Sequence, residues 1–254
     1  MKSRLFGQPK RKIEPNSRAV PAGTRVYAIG DIHGSLVPLR LLREAIREHA
    51  DAHPIERKCL VYLGDYIDRG FDSRAVIELL VNDPLPGFEH VFLKGNHEDG
   101  MLRFLADGSN ALFWVAYGGV ATMVSYGVKP PDPATEESEV NRARKELAQK
   151  LPAAHLDFLA KLEPYRIEGD YLFVHAGIRP GVPLEEQREE DLLWIREEFL
   201  KSQEEFDRCV VHGHSITRQP DFQPNRIGID TGAFASGTLT CLVLEGTKQD
   251  LLAT

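Results

Sequence analysis

The chain has 254 residues, of which 42% are apolar and 27% charged, and its formal net charge is −7 at pH 7. A chain of this length can bury a large core, and one domain is the simplest organisation. The negative charge argues against a general electrostatic attraction to nucleic acid or to an anionic membrane surface. No apolar stretch approaches the length of a membrane span, so no membrane association is expected.

The first twenty residues differ in composition from the rest. Only Glu14 opposes a group of cationic side chains, namely Lys2, Arg4, Lys10, Arg11, Lys12 and Arg18. Such a segment is typical of a solvated, flexible tail. We therefore expect a basic tail at 1–20 and a single folded domain at 21–254.

The cysteines and the N-terminus bear on the compartment. Cys59, Cys209 and Cys241 are widely spaced and lie in apolar runs, which is typical of buried strand residues and not of a disulfide framework. The N-terminus lacks the apolar stretch of a secretion signal. These features predict a cytoplasmic protein.

Short apolar runs rich in Val, Ile, Leu and Tyr recur along the chain and predict buried strands. They lie at 25–29, 59–63, 90–93, 171–174, 209–211, 226–229 and 239–244. Helical patterns at 36–50 and 73–81 separate the first three runs, which indicates strand-helix-strand units. The predicted fold class is α/β or α+β, with a sheet core of mixed direction covered by helices.

The segment 129–150 differs from its surroundings. It begins with a proline-rich turn around Pro130, Pro131 and Pro133 and then becomes strongly charged. Proline ends a preceding element, and the following charges are typical of an exposed helix. We expect an insertion between the two halves of the domain.

Five predicted strands end in clusters of Gly, Asp, Asn and His. The clusters are Gly30-Asp31-Ile32-His33-Gly34, Gly64-Asp65-Tyr66-Ile67-Asp68-Arg69-Gly70, Gly95-Asn96-His97-Glu98, His175-Ala176-Gly177 and His212-Gly213-His214. A single cluster of this kind is usually only a turn. Ligands in open α/β sheets gather beyond the carboxyl ends of strands, so five such loops predict one shared site.

The residue types indicate metal chemistry. Asp31 and His33 are two apart in an extended segment, so both side chains project to the same side and can bind one cation. Carboxylate, imidazole and amide oxygen are ligands for Mn, Fe or Zn, and the absence of thiolate argues against a closed structural zinc site. Because the potential ligands exceed the needs of one ion, two metals that share a carboxylate are expected, as in many phosphoryl-transfer sites.

The first three clusters, in this order and spacing, resemble the signature blocks of the phosphoprotein phosphatase family within the calcineurin-like metallophosphoesterases. The resemblance extends over roughly 25–244 and is closest to the compact bacterial and phage members. It implies two mixed β-sheets sandwiched between helices. It also implies a metal-dependent serine/threonine protein phosphatase with two divalent ions, Mn²⁺ first and Fe or Zn as alternatives.

The resemblance implies a role for each matching position. The implied metal ligands, with Asp65 shared by both ions, are Asp31, His33, Asp65, Asn96, His175 and His214. His97 would be the general acid, oriented by Asp68. The implied phosphate-binding residues are Arg69, Asn96 and Arg196. Arg196 also suits an ordinary amphipathic surface helix, and His212 is expected to pack or to donate a hydrogen bond to a ligand, because it lies within the strand.

The expected reaction needs no protein nucleophile. A hydroxide between the two metals would attack phosphorus in line, and the leaving alkoxide would take its proton from His97. The expected substrate is a phosphorylated protein or a small phosphate ester. Specificity is expected in the connecting segments, especially 107–126 and the insertion after Lys129. Core packing is the alternative role for Trp114 and Tyr117.

Other functions remain open. A hydrolase of dinucleoside polyphosphates, of the diadenosine tetraphosphate type, resembles this family in its metal motifs, but we expect that group to lack the aspartate at position 68. The complete block with Asp68 and Arg69 therefore favours monoesters on proteins. An inactive phosphopeptide-binding module is a more remote alternative, since no ligand or acid is missing. Nucleic-acid binding by the basic tail is disfavoured by the acidic body.

Overall fold

The computed structural model of the protein describes residues 17–108, 111–131 and 137–254. Its first sheet has the strand order β10-β9-β1-β2-β3. These strands are β1 (Thr24–Ile29), β2 (Arg57–Tyr62), β3 (Glu89–Phe92), β9 (Thr240–Glu245) and β10 (Lys248–Ala253). The neighbours β1, β2 and β3 are parallel, whereas β9 runs antiparallel to both β1 and β10, so the sheet is mixed.

The second sheet has the strand order β4-β5-β6-β8-β7 and is also mixed. Its strands are β4 (Tyr165–Glu168), β5 (Tyr171–Val174), β6 (Cys209–His212), β7 (Asp221–Phe222) and β8 (Arg226–Gly228). The central strands β5, β6 and β8 are parallel, and β4 and β7 are antiparallel edge strands. The carboxyl ends of the central strands therefore point to one edge of the sheet.

Helices cover both sheets. In chain order they are α1 (Leu36–Ala52), α2 (Ser73–Asn82), α3 (Asn96–Ala106), α4 (Ala111–Trp114), α5 (Val120–Ser125), α6 (Glu137–Lys150), α7 (Ala153–Ala160), α8 (Glu189–Trp194), α9 (Glu197–Leu200) and α10 (Ala233–Ser236). A π-helical turn, Val115–Gly119, joins α4 to α5. Within the described ranges, no helix is long and apolar enough to cross a membrane.

The alternation of side chains along the strands divides the core into layers. Val26 and Ala28 of β1 face the second sheet and pack in one cluster with Phe173 of β5. Their neighbours Tyr27 and Ile29 face the opposite side and pack with the helices on the first sheet. A smaller cluster joins the second sheet to α8 and α9. The expected pair of mixed sheets between helices is confirmed.

Every predicted strand is present, with ends that shift by a few residues. The strands that were not predicted are β4, β7 and β10. β7 has two residues, and β10 is an edge strand that begins with the polar residues Lys248, Gln249 and Asp250 and is largely exposed. Because an edge strand with a solvated face needs no apolar run, its sequence gives little strand signal.

The described end of the basic segment packs on the domain. Residues 1–16 lie outside the described residues, but Arg18 and Val20 are buried. The Val20 N–H donates to the Gly246 carbonyl at 3.1 Å, and the Ala19 N–H donates to Asp170 Oδ2 at 2.9 Å. The packed part of the chain therefore begins before the expected boundary at residue 20.

The charged segment is a helix with one buried face. Residues 132–136 lie outside the described residues, and 137–150 form α6. Ala143 and Leu147 of α6 are fully buried in the helical layer on the first sheet, whereas Arg142 pairs with Glu146 on the outer face. The expected exposed helix is thus amphipathic, and it contributes apolar side chains to the core.

Candidate active site

The loops that follow the strands meet at one edge of the two sheets. The loop after β1 binds the loop after β2, because the His33 N–H donates to the Asp65 carbonyl at 2.8 Å. The loop after β6 binds the end of β5, because the Gly213 N–H donates to the His175 carbonyl at 2.8 Å. The predicted gathering of strand-end loops is therefore present in the structure.

Two overlapping groups of buried side chains can each hold a metal ion. One consists of His33, Asp65 and His97, and the other of Asp65, His175 and His214. Within each group the ligand atoms lie within 4.8 Å of one another, and Asp65 belongs to both. The carboxylate shared by the two groups is the one that the sequence predicts as the bridge.

The other two predicted ligands lie beside these groups. Both carboxylate oxygens of Asp31 accept the backbone N–H of His214, at 3.2 and 3.0 Å. Asn96 Oδ1 lies 2.8 Å from His175 Nε2. The structure thus brings the six predicted metal ligands together. One detail differs: the first group contains His97, which is predicted to be the acid, in place of the expected ligand Asp31.

An additional carboxylate, Asp230, lies next to Asp31. It is fully buried, and burial raises its pKa to about 6. Burial, followed by the charges of Asp230 and Asp65, raises the pKa of Asp31 well above its usual value. Asp230 is not among the residues predicted from the sequence, although it follows the predicted strand at 226–229 as the other site residues follow theirs.

The histidines fit the role of metal ligands. His33 Nε2 and His214 Nε2 are buried without a hydrogen-bond partner. Burial lowers the pKa of His33 to about 3 and that of His214 to about 2, so both imidazoles are neutral at pH 7. His33 Nδ1 lies 2.8 Å from the Ile67 carbonyl, which leaves Nε2 as the acceptor. Neutral imidazoles and closely spaced carboxylates without a nearby thiolate fit divalent cations.

Unusual backbone conformations concentrate in this site. In the described part of the chain, the residues other than glycine with positive φ are His33 (46°), Asp65 (52°), Asp68 (70°), Arg69 (64°) and His214 (61°). Each such conformation costs on the order of 1–3 kcal/mol and persists only where the surrounding structure enforces it. The fold therefore maintains strain at the positions that carry the proposed chemistry.

Two glycines are required for space beside the ligands. A Cβ on Gly95 would lie 2.2 Å from Asp65 Oδ1, and a Cβ on Gly213 would lie 2.0 Å from Asp31 Oδ1. Both distances are far below a van der Waals contact. The glycines that accompany the predicted ligands thus permit the close approach of backbone to carboxylate.

Glu98 organises the loop that carries Asp65. Its carboxylate is fully buried and accepts the backbone N–H groups of Asp65, Tyr66 and Gly95 at 2.9, 2.8 and 3.0 Å. Glu98 belongs to a predicted site cluster, but no role is predicted for it from the sequence. The available signal was its position three residues after Gly95, where a glutamate at the start of a helix reaches back to the preceding N–H group.

His97 and Asp68 form the predicted acid pair. His97 Nδ1 lies 2.7 Å from Asp68 Oδ2, and its Nε2 lies 3.8 Å from Asp65 Oδ2. Burial alone would lower the pKa of His97, but the carboxylates of Asp65 and Asp68 raise it above its usual value. The raised pKa favours the protonated imidazole, and a proton on an Nε2 that faces the metal ligands is what a general acid requires.

Two residues of the 107–126 segment hold Asp68 in place. Trp114 Nε1 donates to Asp68 Oδ2 at 2.8 Å, and Thr122 Oγ1 donates to Asp68 Oδ1 at 2.5 Å. Trp114 is buried against Phe104, so the packing alternative for this tryptophan is correct. Through the hydrogen bond from its indole N–H to Asp68, the packed ring also contacts the acid pair.

The Trp114→Phe variant tests this positioning. Phenylalanine keeps most of the packing but removes the N–H donor, and a hydrogen bond to a charged group contributes about 1.5–3 kcal/mol. Because this hydrogen bond would stabilise the charged pair in the transition state, we expect phosphoserine peptide hydrolysis to slow by about 10- to 100-fold. Nitrophenyl phosphate hydrolysis and metal content should change little. Equal losses on both substrates would assign Trp114 a purely structural role.

The predicted phosphate-binding arginines lie near different ligand groups, Arg69 beside His97 and Arg196 near His214. Arg69 is half-buried, its Nη2 lies 3.2 Å from His97 Nε2, and its guanidinium stacks over Phe234 at 5.1 Å. Arg196 is exposed, and its Nη1 donates to Ser215 Oγ at 3.3 Å, next to His214. Arg196 lies between α8 and α9, outside the ordinary surface helix that is the alternative context for this residue.

His212 lies apart from the metal-ligand groups. It is buried in β6, its Nδ1 lies 3.0 Å from the Gly213 carbonyl, and its ring contacts Phe199 edge-on at 5.1 Å. The other histidines outside the site make structural contacts, such as the pair of His155 Nδ1 and the Tyr126 hydroxyl at 2.8 Å. His212 thus packs beside the site, on the strand that positions His214.

The two late histidines give a direct comparison. We expect His214→Ala to lower the number of metal ions per chain and to remove most of the activity, because a ligand is lost. His212→Ala should reduce stability more than metal content, because it removes a packed ring. Elemental analysis of both variants checks the assignment. A metal count that falls with His212 and not with His214 would show that the ligand position in this loop is misassigned.

A third group of possible metal ligands lies outside the candidate site, and ion pairs explain why its side chains are close together. Cys59, Glu89 and Glu168 lie close enough to hold an ion. Arg57 already pairs with both carboxylates, at 2.6 and 2.7 Å. Burial raises the pKa of Cys59 to about 12, so the thiol stays protonated. This group is an ion-pair network between the sheets.

Comparisons with known proteins agree with this geometry. Residues 24–233 match the family model of the calcineurin-like phosphoesterases. Over 233 residues the chain is 28% identical to the bis(5'-nucleosyl)-tetraphosphatase PrpE [asymmetrical] of Bacillus thuringiensis (strain Al Hakam), covering 84% of this chain and 88% of that protein. The PrpE of Anoxybacillus flavithermus (strain DSM 21510 / WK1) is 25% identical over 235 residues, with coverage of 84% and 88%.

A solved structure assigned as a diadenosine tetraphosphatase has a similar fold, with a TM-score of 0.60 and 23% identity over 93% of this chain and 98% of that chain. At this identity the likeness establishes the fold alone. The family match extends from the start of β1 to Ala233, so it includes every predicted site residue. The chain therefore belongs to the calcineurin-like phosphoesterase family.

Proposed function

We propose that the protein hydrolyses bis(5'-nucleosyl) tetraphosphates asymmetrically, to a nucleoside triphosphate and a nucleoside monophosphate. The observation that carries the proposal is the similarity to tetraphosphatases of the PrpE type, which extends over 84% of this chain and 88% of the relative. Phosphoester hydrolysis is the reaction of the family. The identity of the substrate, a bis(5'-nucleosyl) tetraphosphate, is the part that we propose. The reaction adds water across one P–O–P bond of the phosphate chain.

The site suits a substrate with several negative charges. Two bound divalent ions, with Mn²⁺ as the expected metal, would supply charge neutralisation and a hydroxide at neutral pH. Arg69, beside His97, and Arg196, beside Ser215, would bind the non-bridging oxygens of the phosphate chain. Asn96 Oδ1 beside His175 is in place to complete the ligand set. His97 would stabilise charge on the oxygen of the departing phosphate.

Hydrolysis of phosphoserine or phosphothreonine in proteins is the second candidate. It is favoured by the 2.7 Å hydrogen bond between His97 and Asp68, because a serine alkoxide leaves only with a proton, whereas a nucleotide leaves as a stabilised anion. The presence of Asp68 does not exclude the tetraphosphate as a substrate. Asp68 contacts His97, which would act on the leaving group and not on the remainder of the substrate. The hydrogen bond between His97 and Asp68 therefore favours the phosphopeptide without ruling out the tetraphosphate.

A side-by-side assay tests the proposal. Metal-loaded protein should be compared on diadenosine tetraphosphate, a phosphoserine peptide and nitrophenyl phosphate, with the nucleotide products separated by chromatography. We expect kcat/KM for the tetraphosphate to exceed that for the peptide by about tenfold or more, a difference of about 1.4 kcal/mol. ATP and AMP should appear in equal amounts. A preference for the peptide would select the second candidate, and ADP as the only product would exclude asymmetrical cleavage.

A further inference from the structure

Three aromatic side chains, two exposed and one partly buried, form a cluster beside the metal ligands. The ring centroids of Phe113 and Tyr117 lie 4.2 Å apart, with 30° between the ring planes. The ring centroids of Phe113 and Trp194 lie 5.4 Å apart. The exposed fractions are 43% for Phe113 and 48% for Tyr117. Aromatic side chains that pack on one another while they face solvent are a feature of binding surfaces. We call Phe113, Tyr117 and Trp194 the aromatic cluster.

The aromatic cluster is attached to the site at two points. The Trp194 ring meets the His214 ring edge-on, with centroids 6.1 Å apart, and Arg196 follows two residues later. At the other end, the carbonyl of Gly118, directly after Tyr117, accepts the Arg69 N–H at 3.3 Å. Gly118 has a φ of 122°, and a Cβ there would lie 2.9 Å from the Arg69 backbone. The cluster therefore lies between the two phosphate-binding arginines.

A groove lies against two rings of the cluster, those of Phe113 and Trp194. Its volume is about 530 Å³, and its lining also includes the apolar Leu193 and the charged Arg103, Asp99 and Glu190. This volume lies within the range of about 300–1,000 Å³ for ligand sites of small molecules. The lining combines apolar rings with a few polar groups that can fix the orientation of a ligand.

We propose that the aromatic cluster is a nucleobase subsite, on which one base of the substrate stacks while the arginines and the metal centre hold its phosphate chain. A base offers a flat π-face, and stacking on aromatic rings suits any base. The arrangement of charge favours this occupant, because Arg69 contacts Gly118 at one end of the cluster and Arg196 follows Trp194 at the other, so both arginines can meet the polyphosphate of a stacked nucleotide. This inference rests on the proposed function and names the part of the site that recognises the nucleoside.

The test compares two inhibitors that differ by a nucleoside. ATP and inorganic tripolyphosphate should be used as competitive inhibitors of nitrophenyl phosphate hydrolysis, at constant free metal concentration. In the Phe113→Ala/Tyr117→Ala double variant we expect the inhibition constant of ATP to rise by about 5- to 150-fold, the effect of one lost base–aromatic stack. The constant for tripolyphosphate should stay within about twofold, because the arginines and metals are unchanged.

Two controls separate stacking from a general effect on α4. Leu112 is 63% exposed on the same helix, and Leu112→Ala should leave both inhibition constants unchanged. Phe113→Tyr keeps a ring at the central position and should retain ATP affinity. KM for diadenosine tetraphosphate should rise in the double variant in parallel with the inhibition constant of ATP.

Equal changes for ATP and tripolyphosphate in the double variant, or no change for either, would overturn the nucleobase subsite. If the wild-type protein cleaves diadenosine tetraphosphate and the double variant binds ATP normally, the subsite fails and the proposed function stands. If the wild-type protein does not cleave the tetraphosphate, the proposed function fails. The ATP–tripolyphosphate difference then decides separately whether the aromatic cluster binds a base.

Discussion

The Asp65→Asn variant is expected to lose both its metal ions and its hydrolytic activity. Asp65 is the carboxylate shared by the two ligand groups, so its loss weakens both sites at once. The loss of one hydrogen-bond donor from an active site lowers the rate by about 10²- to 10³-fold. We expect the loss of the Asp65 carboxylate to lower it further than this. Asparagine is a suitable replacement because it has the same shape and tolerates the positive φ of 52° at this position.

Elemental analysis and the rate on nitrophenyl phosphate measure this effect. Asp51→Asn is the matched control, since Asp51 is exposed at the end of α1 and its replacement changes the net charge equally. The control should retain two ions and full activity. An Asp65→Asn protein that still binds two ions and works within about tenfold of the wild-type rate would remove Asp65 from the bridging position.

The loss of rate in the His97→Ala variant is expected to depend on the leaving group of the substrate. A general acid typically contributes about 10²- to 10⁴-fold, and only where the leaving group needs a proton. We therefore expect a loss of this size for a phosphoserine peptide, and much smaller losses for nitrophenyl phosphate and diadenosine tetraphosphate. Rates should be compared at saturating metal, because His97 also lies in the first ligand group and its loss can weaken metal binding.

Asp68→Asn should show the same pattern as His97→Ala, since Asp68 orients the imidazole through the 2.7 Å hydrogen bond and helps to stabilise its charge. His53→Ala serves as the control for loss of a histidine, because His53 lies at the exposed end of α1. Equal fold-losses on all three substrates, with chemistry as the slow step, would remove His97 from the acid role. His97 would then act as a metal ligand only.

The general position of the site could be predicted from sequence because of a simple topological rule. β1, β2 and β3 are parallel neighbours, and so are β5, β6 and β8, so their carboxyl ends share an edge. Residues such as Asp31, Asp65 and His175 follow those strands directly. Apolar runs locate the strands, and strand ends then locate the ligands without any three-dimensional information.

The residues that support the acid pair could not be predicted in this way. Trp114 and Thr122 are separated from Asp68 by 46 and 54 positions, and they reach it from helices that belong to another segment. Their residue types are ordinary for a helical core, so nothing in the local pattern indicates the hydrogen bonds. Only the packing of α4 and α5 against the loop after β2 brings these donors to the carboxylate.

Substrate preference is a further part that the motifs leave open. The blocks around Asp31, Asp65 and His97 are proposed to act on phosphorus and on the leaving group, and both phosphoproteins and dinucleotides contain these parts. The residues proposed to recognise a nucleoside, Phe113, Tyr117 and Trp194, come from two segments outside those blocks. Their proximity, with 5.4 Å between the rings of Phe113 and Trp194, arises from tertiary packing.

Metal stoichiometry coupled to activity tests the central claim most directly. Protein stripped by a chelator should be titrated with Mn²⁺ while bound metal is counted by elemental analysis and hydrolysis is followed in parallel. Because two ligand groups share Asp65, the account predicts an inactive apoprotein and full recovery of activity at two ions per chain. Full turnover in excess chelator, with no metal found in the protein, would contradict the account.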